Sequence, residues 1–533
     1  MPYVIGGALL LCIGLWLAAV IVAIVAWLYP VFMLVGSTWA FVSTCLVLAG
    51  RGSRKPVLVT PNDVVNGTAG LRKPHGPFPP DWAWPSYLAA QWRRDLVASW
   101  HNAYGFIVRG WQWGFGYGIG SKLRWVSSCL TILIWSGVTL GAIVGAVQVL
   151  VIGAIALGLG WLGWGALVGS LRGYDHVVRR LRKASGSCAV CYHVMAVPAY
   201  RCGGCQVVHH DIRPGVLGAM SRTCGCGTKL PTTVLRASRR LEALCQRCDR
   251  PLRGGSGAVT DIRVPVFGPV SAGKTRLVHA GLVTLRDRAA AEGVVLDFVD
   301  EASRQAFLHG EQLITSGGDT AKTPAGQLPP AITVRFTRGG TAKARGQALV
   351  HLFDAAGEFF LDRDDNSELE FLDHAGGLVF VVDPFAIGWV RDQLGGALES
   401  RLAEAHPASG DPEQVYHVTA RRLRDYGVET ERRALAITVV KADLLTDLPW
   451  AADLCAGAVR DWLNTAGLDN LVLAAERDFA EVRYFVVSSV TGIRPGHRLT
   501  PAAPFRWLLG LGGFALGRAE KASREEKPTM EAS

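Results

Sequence analysis

The chain opens on unbroken apolar sequence: residues 3–49 contain no Asp, Glu, Lys or Arg, and residues 125–171 repeat the pattern. One helical membrane crossing uses about 20 residues. Each stretch therefore has length for two crossings, and the pattern predicts two hairpins, over 1–50 and 125–171, turning near Tyr29-Pro30 and Gln148. The expectation is a four-helix membrane region. No basic segment precedes Tyr3, and the run far outlasts the about 7 to 15 apolar residues of a signal-peptide core, which argues against a cleaved leader.

Residues 51–124 read differently. A Pro/Gly-rich piece over 73–85 leads into Trp82, Trp84, Trp92, Trp100, Trp111 and Trp113, interleaved with Arg93, Arg94 and Arg109. Amphipathic aromatics beside arginine suit the depth of lipid headgroups, so 86–107 is predicted as a helix lying on the bilayer surface. Beyond residue 258 short hydrophobic runs recur: 261–267, 331–337, 348–353, 377–382, 435–440 and 482–487, with a helical stretch over 276–290. Runs of that length fit buried strands of a mostly parallel sheet, hence an α/β fold. Residues 518–533 are polar, charged and poor in apolar side chains, and read as a disordered tail.

Composition agrees with membrane segments: half the residues are hydrophobic, 19% are charged and mean hydropathy is +0.24. The net charge of +11 gathers beside the apolar stretches. Arg51, Arg54 and Lys55 follow the first, Lys122 and Arg124 precede the second, and Arg172, Arg179, Arg180, Arg182 and Lys183 follow it. Lys and Arg beside spans mark the cytoplasmic side, so all soluble parts are expected in the cytoplasm, at a bacterial inner membrane or plasma membrane. Anionic lipid then accounts for much of the charge without nucleic acid.

Eight of the twelve cysteines fall in four close pairs: Cys188 with Cys191, Cys202 with Cys205, Cys224 with Cys226, and Cys245 with Cys248. Two thiolates on one turn supply half a tetrahedral zinc site, so four pairs predict two Zn²⁺ ions in a small zinc-ribbon module over 186–252. Closed four-thiolate sites leave no open coordination position, which makes the metal structural. Sequential pairing (188/191 with 202/205, then 224/226 with 245/248) and an interleaved cross-brace both remain open.

Gly268-Pro-Val-Ser-Ala-Gly273-Lys274-Thr275 follows a predicted strand and opens a predicted helix. In that context it reads as a P-loop: Gly268, Ser271, Ala272 and Gly273 wrap backbone N–H groups around phosphate, Lys274 neutralises it, and Thr275 reaches Mg²⁺. Asp354-Ala-Ala-Gly357 ends a later strand, with Asp354 toward magnesium and Gly357 toward a γ-phosphate. After 435–440 come Lys441-Ala442-Asp443, where the carboxylate can accept two guanine donors and the lysine stem can pack along the ring. Val440 stands where Asn or Thr usually does. Ser488, in Ser488-Ser489-Val490, is expected in a loop beneath the base. The switch threonine is sought among Thr315, Thr320 and Thr323, with Thr323 favoured; Glu358 reads as a surface residue.

Together these motifs, over 259–513, resemble the TRAFAC class of P-loop GTPases, which implies a Ras-like domain. With the cysteine module and the ending Pro504-Phe-Arg-Trp-Leu-Leu509, the chain is similar to the bacterial double-GTPase family. The resemblance implies GTP/GDP with Mg²⁺, and a partner protein that is itself a GTPase, in conflict or stress signalling. No residue stands out as a cis arginine finger, so slow hydrolysis and a switch role are expected. The alternative is a non-hydrolysing, nucleotide-bound scaffold whose zinc module binds protein or nucleic acid.

Overall fold

The computed structural model describes residues 2–51, 58–67, 83–116, 124–188, 191, 193–252, 255–316, 318, 331–339, 346–354, 375–425 and 427–517. It forms two compact units, residues 1–172 with 214–232 and residues 173–213 with 233–533.

In the first unit the apolar stretches are not hairpins. Pro2–Leu48 is one 47-residue helix running through Pro30, and Arg124–Leu181 is one 58-residue helix running through Gln148. The expected four helices are two: Pro30 does not end the first, and the apolar residues around Gln148 continue the second. At 1.5 Å per residue the first is about 70 Å long, more than twice the about 30 Å hydrocarbon core of a bilayer. Both are long and apolar enough to cross a membrane.

These helices approach closely where Gly137, Gly141 and Gly145 line one face. A Cβ at Gly141 would lie 1.9 Å from the Met33 carbonyl oxygen; small residues at such spacing let backbones meet. The Trp/Arg-rich segment is a helix over Trp84–Gly116, longer than predicted. It packs on the apolar pair through its aromatic face: Phe106 stacks on Trp39 at 3.9 Å, and its ring centroid is 5.8 Å from that of Trp135.

The second unit contains a seven-stranded sheet. Its strands are β1 (Thr260–Phe267), β2 (Val294–Phe298), β3 (Ile332–Arg338), β4 (Gln347–Asp354), β5 (Gly377–Val382), β6 (Ala434–Val439) and β7 (Glu481–Val486). Their order is β2-β3-β4-β1-β5-β6-β7. From β4 to β7 neighbours run parallel, while β2 and β3 are antiparallel additions. The six predicted strands are present within a residue or so at each end.

Three local results depart from the sequence reading. β2 and the following helix Glu301–Thr315 were not predicted; Asp300 caps that helix by accepting the Ser303 N–H at 2.7 Å. Thr315 belongs to this helix, with its hydroxyl donating to the Glu311 carbonyl. Pro265 lies in the central strand, in register with Phe353 of β4, although proline within a sheet is ordinarily confined to edges and bulges.

The sheet is filled on both faces. Phe267, Phe380, Tyr416, Leu435 and Trp462 belong to one core, and Val264, Leu282, Phe336, Val350 and Phe505 to the other. A polar network interrupts this apolar interior at the start of β1. Asp261 accepts from Ser187 Oγ at 3.0 Å and Arg263 Nη2 at 2.6 Å, and His351 Nε2 lies 3.0 Å from it. Arg263 Nη2 also donates to Ser185 Oγ at 2.8 Å, and Thr333 Oγ1 meets His351 Nδ1 at 2.9 Å. Burial pushes the Asp261 carboxyl up, but Arg263 and His351 outweigh it and hold the group well below the usual carboxylate range.

Candidate functional site

The first cysteine of each pair donates its backbone N–H to a carbonyl four or five residues further on. Cys202 N–H donates to the Val207 carbonyl at 2.9 Å, Cys245 N–H to Arg250 at 2.9 Å, Cys224 N–H to Thr228 at 2.9 Å and Cys188 N–H to His193 at 3.1 Å. Gln206 and Asp249 adopt left-handed φ of 61° and 54° to close two of these turns. The backbone N–H of Gly204 and of Arg247 then points at Cys202 Sγ and Cys245 Sγ, each at 3.4 Å.

Eight sulfurs converge in two groups: Cys188, Cys191, Cys245 and Cys248, and Cys202, Cys205, Cys224 and Cys226. The pairing is nested, outer pairs together and inner pairs together, so neither the sequential nor the interleaved arrangement holds. The hairpin β-pairing explains it: Ala199–Arg201 runs antiparallel to Glu242–Leu244, which carries the last pair back beside the first. Cys188 Sγ lies 3.6 Å from Cys248 Sγ, and Cys191 Sγ 3.6 Å from Cys245 Sγ. A disulfide needs about 2.05 Å, whereas four sulfurs about 2.3 Å from one zinc lie about 3.8 Å apart. Both tetrads are therefore of a kind that holds a metal ion, and zinc fits the donor set.

The second group of predicted residues gathers at the carboxyl ends of the parallel strands, where open α/β sheets bind ligands. Between β1 and the helix Lys274–Ala291 the chain curls through left-handed backbone at Ser271 (φ 62°) and Gly273 (φ 86°). Gly268, at φ 149°, passes so close to β5 that a Cβ would stand 2.7 Å from the Val381 carbonyl oxygen. Ala272 is fully buried. Lys274 is buried too, and its ammonium donates to the Gly268 and Pro269 carbonyls at 3.1 and 2.8 Å, folded back across the loop it follows.

Thr275 Oγ1 donates to Asp354 Oδ2 at 2.6 Å. Parallel pairing of β4 with β1, in register Asp354 to Val266, brings the two together across 79 residues. A hydroxyl and a carboxylate side by side at a helix N-terminus form a hard-oxygen pair of the type divalent magnesium prefers.

The base-side residues meet two strands further along. Ser488 Oγ, fully buried, donates to Asp443 Oδ1 at 2.6 Å and accepts the N–H groups of Val490 and Thr491 at 3.1 and 3.0 Å. Asp443 is thereby fixed by its neighbour strand's loop. Lys441, in left-handed conformation (φ 57°), carries its Cε to 4.0 Å from where a Cβ on Gly273 would sit. Its ammonium donates to Asp383 Oδ2 at 2.5 Å. Val440 is buried and apolar.

Asp383 was missed by the sequence reading. It directly follows β5, and a carboxylate at the carboxyl end of a parallel strand is the signal that could have found it. Gly357, Glu358, Thr320 and Thr323, with most of 317–327 and all of 355–360, lie outside the described residues.

Residues 262–507 match the family model described as Double-GTPase 2. No curated protein matches the chain. The matched span runs from β1 to the last helix and takes in every described nucleotide-site residue above. Over this C-terminal span, somewhat under half of its length, the chain is similar to the double-GTPase family.

Proposed function

We propose that this protein is a membrane-anchored GTP-binding switch and slow GTPase whose soluble parts work at the cytoplasmic face. The observation that carries it is the Thr275–Asp354 hydrogen bond across a Lys274-bearing glycine loop, inside a span matched by a double-GTPase model. In this reading the P-loop amides from Gly268 to Gly273 and the Lys274 ammonium bind phosphate, Gly357 meets the γ-phosphate, and Asp443 with Ser488 and Lys441 hold guanine. Thr275 and Asp354 hold Mg²⁺, which supplies charge neutralisation between phosphates.

Zinc in both tetrads orders the module that links the apolar helix to the nucleotide domain. The helices Pro2–Leu48 and Arg124–Leu181 supply the anchor, and basic residues flanking them, such as Arg51, Arg172 and Arg180, favour a cytoplasmic location for the remainder. A partner protein, a second GTPase by the family's name, would read the nucleotide state. The scaffold alternative keeps the same nucleotide contacts without turnover.

The test uses the full-length protein in lipid nanodiscs with zinc retained. Fluorescent GTP, GDP and ATP binding is measured with Mg²⁺, alongside phosphate release. Guanine-selective binding lost in Lys274→Ala supports the switch. Equal binding of ATP sinks the Asp443 assignment, and tight GTP binding with no turnover in the presence of membrane favours the scaffold.

A further inference from the structure

The guanine-binding reading leaves a buried carboxylate beside the site unused. Asp383 is fully buried at the end of β5 and touches neither the Thr275–Asp354 pair nor Asp443 in any recorded hydrogen bond. Its Oδ1 accepts the Phe385 N–H at 3.0 Å, and its Oδ2 accepts the Ala408 N–H at 2.7 Å and the Lys441 ammonium at 2.5 Å. A buried carboxylate with one cation and two amide donors is satisfied and rigid.

Two further bonds tie this carboxylate to both sides of the site. Lys441 Nζ also donates to the His406 carbonyl at 3.1 Å, and Ser409 N–H donates to the Val270 carbonyl at 3.0 Å. Val270 lies inside the glycine loop, so the short run from His406 to Ser409 is stitched to that loop at one end and to Asp383 and Lys441 at the other. The Val440 side chain has no polar atom with which to make such a link itself. His406 and Lys441 both hold left-handed φ, at 46° and 57°. That conformation costs a non-glycine residue free energy and persists where surrounding bonds over-determine it.

We infer that Asp383 is a positioning residue: through Lys441 and the His406–Ser409 run it locks the base-binding loop to the phosphate loop. The lysine stem is thereby held above Gly273 as a preformed support for the base, and Asp443 is presented at a fixed distance from the phosphates. Preorganisation of this kind appears as nucleotide affinity, because the loops need not be ordered on binding. The inference rests on the guanine-nucleotide reading of the same site.

The test is a double-mutant cycle in the full-length, zinc-loaded protein, with the Kd for fluorescent GDP and its competition by ATP as readouts. Asp383→Asn turns an amide N–H₂ toward the Lys441 ammonium. It should weaken GDP about tenfold or more, the effect of losing a charge-assisted hydrogen bond, and reduce discrimination against ATP. In a Lys441→Met background the same substitution should change the Kd by less than about twofold, since the partner it acts through is gone.

A purely structural Asp383 gives equal losses in both backgrounds, and that additivity overturns the inference, as does unchanged affinity in folded Asp383→Asn. If Asp383→Asn does not fold, Lys441→Met carries the test alone: a loss of similar size supports the lock and unchanged affinity overturns it. Failure of the wild-type protein to bind GDP overturns the underlying nucleotide reading and this inference with it, whereas wild-type binding with an additive cycle overturns the inference alone.

Discussion

Thr275 Oγ1 donates to Asp354 Oδ2 at 2.6 Å, the two brought together by the parallel pairing of β4 with β1. In the proposed reading these two oxygens would be ligands of one Mg²⁺, which sets the first prediction. Thr275→Ala and Asp354→Asn should each lower GTP affinity about tenfold to a hundredfold in the presence of Mg²⁺, the usual effect of deleting one partner of a charged hydrogen-bonded pair. With excess EDTA wild type and variants should bind alike. A Mg²⁺-independent deficit would place the damage in the fold.

Base selectivity should depend on a residue that need not touch the nucleotide. Ser488 is the donor that orients Asp443, and its own hydroxyl also caps Val490 and Thr491. Ser488→Ala should weaken GDP by about tenfold while leaving ATP binding nearly unchanged, narrowing the preference between them. Competition titrations read this directly; parallel loss for both nucleotides would assign Ser488 to stability.

The nested cysteine pairing predicts metal stoichiometry. Wild-type protein should carry two zinc ions per chain. Cys188→Ser and Cys245→Ser, separately or together, should lose the same single ion, whereas Cys188→Ser with Cys202→Ser should lose both. Metal analysis after gel filtration decides it. Loss of two ions from Cys188→Ser with Cys245→Ser would restore a sequential or cross-braced arrangement.

The Asp261 network predicts an acid-side stability change. Its carboxyl is held below the ordinary range in the fold, so the native state binds fewer protons there than the unfolded chain. The stabilisation is full above the unfolded carboxylate pKa of about 4 and fades as pH falls through the folded value. Asp261→Asn should cost about 3–5 kcal/mol at pH 7, since it removes the carboxylate that the buried Arg263 pairs with. Chemical denaturation at pH 7 and about pH 3, between the unfolded and folded values, should show that cost shrinking toward the acid side; a pH-independent difference would remove the charge from the explanation.

Local signals carried much of this architecture. The strand over 348–353 is an apolar run ended by Asp354, and the Gly268–Thr275 motif states its own backbone demands. β2 and the Glu301–Thr315 helix escaped notice because Val294–Phe298 is only five residues long and interrupted by Asp297, and the helix is marked chiefly by its Asp300 cap. The hairpins were over-read from length: 47 charge-free residues fit two crossings as readily as one long helix, and nothing in the local pattern chooses.

The sequence by itself determined the chemistry available: eight thiolates in four turns, a glycine loop with its lysine and threonine, two strand-end carboxylates and two long apolar segments. Each is a local property, written in residue type and spacing. Only the tertiary structure decided which partners meet. The nested cysteine tetrads follow from antiparallel return of Glu242–Leu244 beside Ala199–Arg201, Thr275 finds Asp354 through a strand register, and Asp383 finds Lys441 across two neighbouring strands. Those choices depend on sheet order and pairing between residues tens of positions apart, which short-range patterning does not encode.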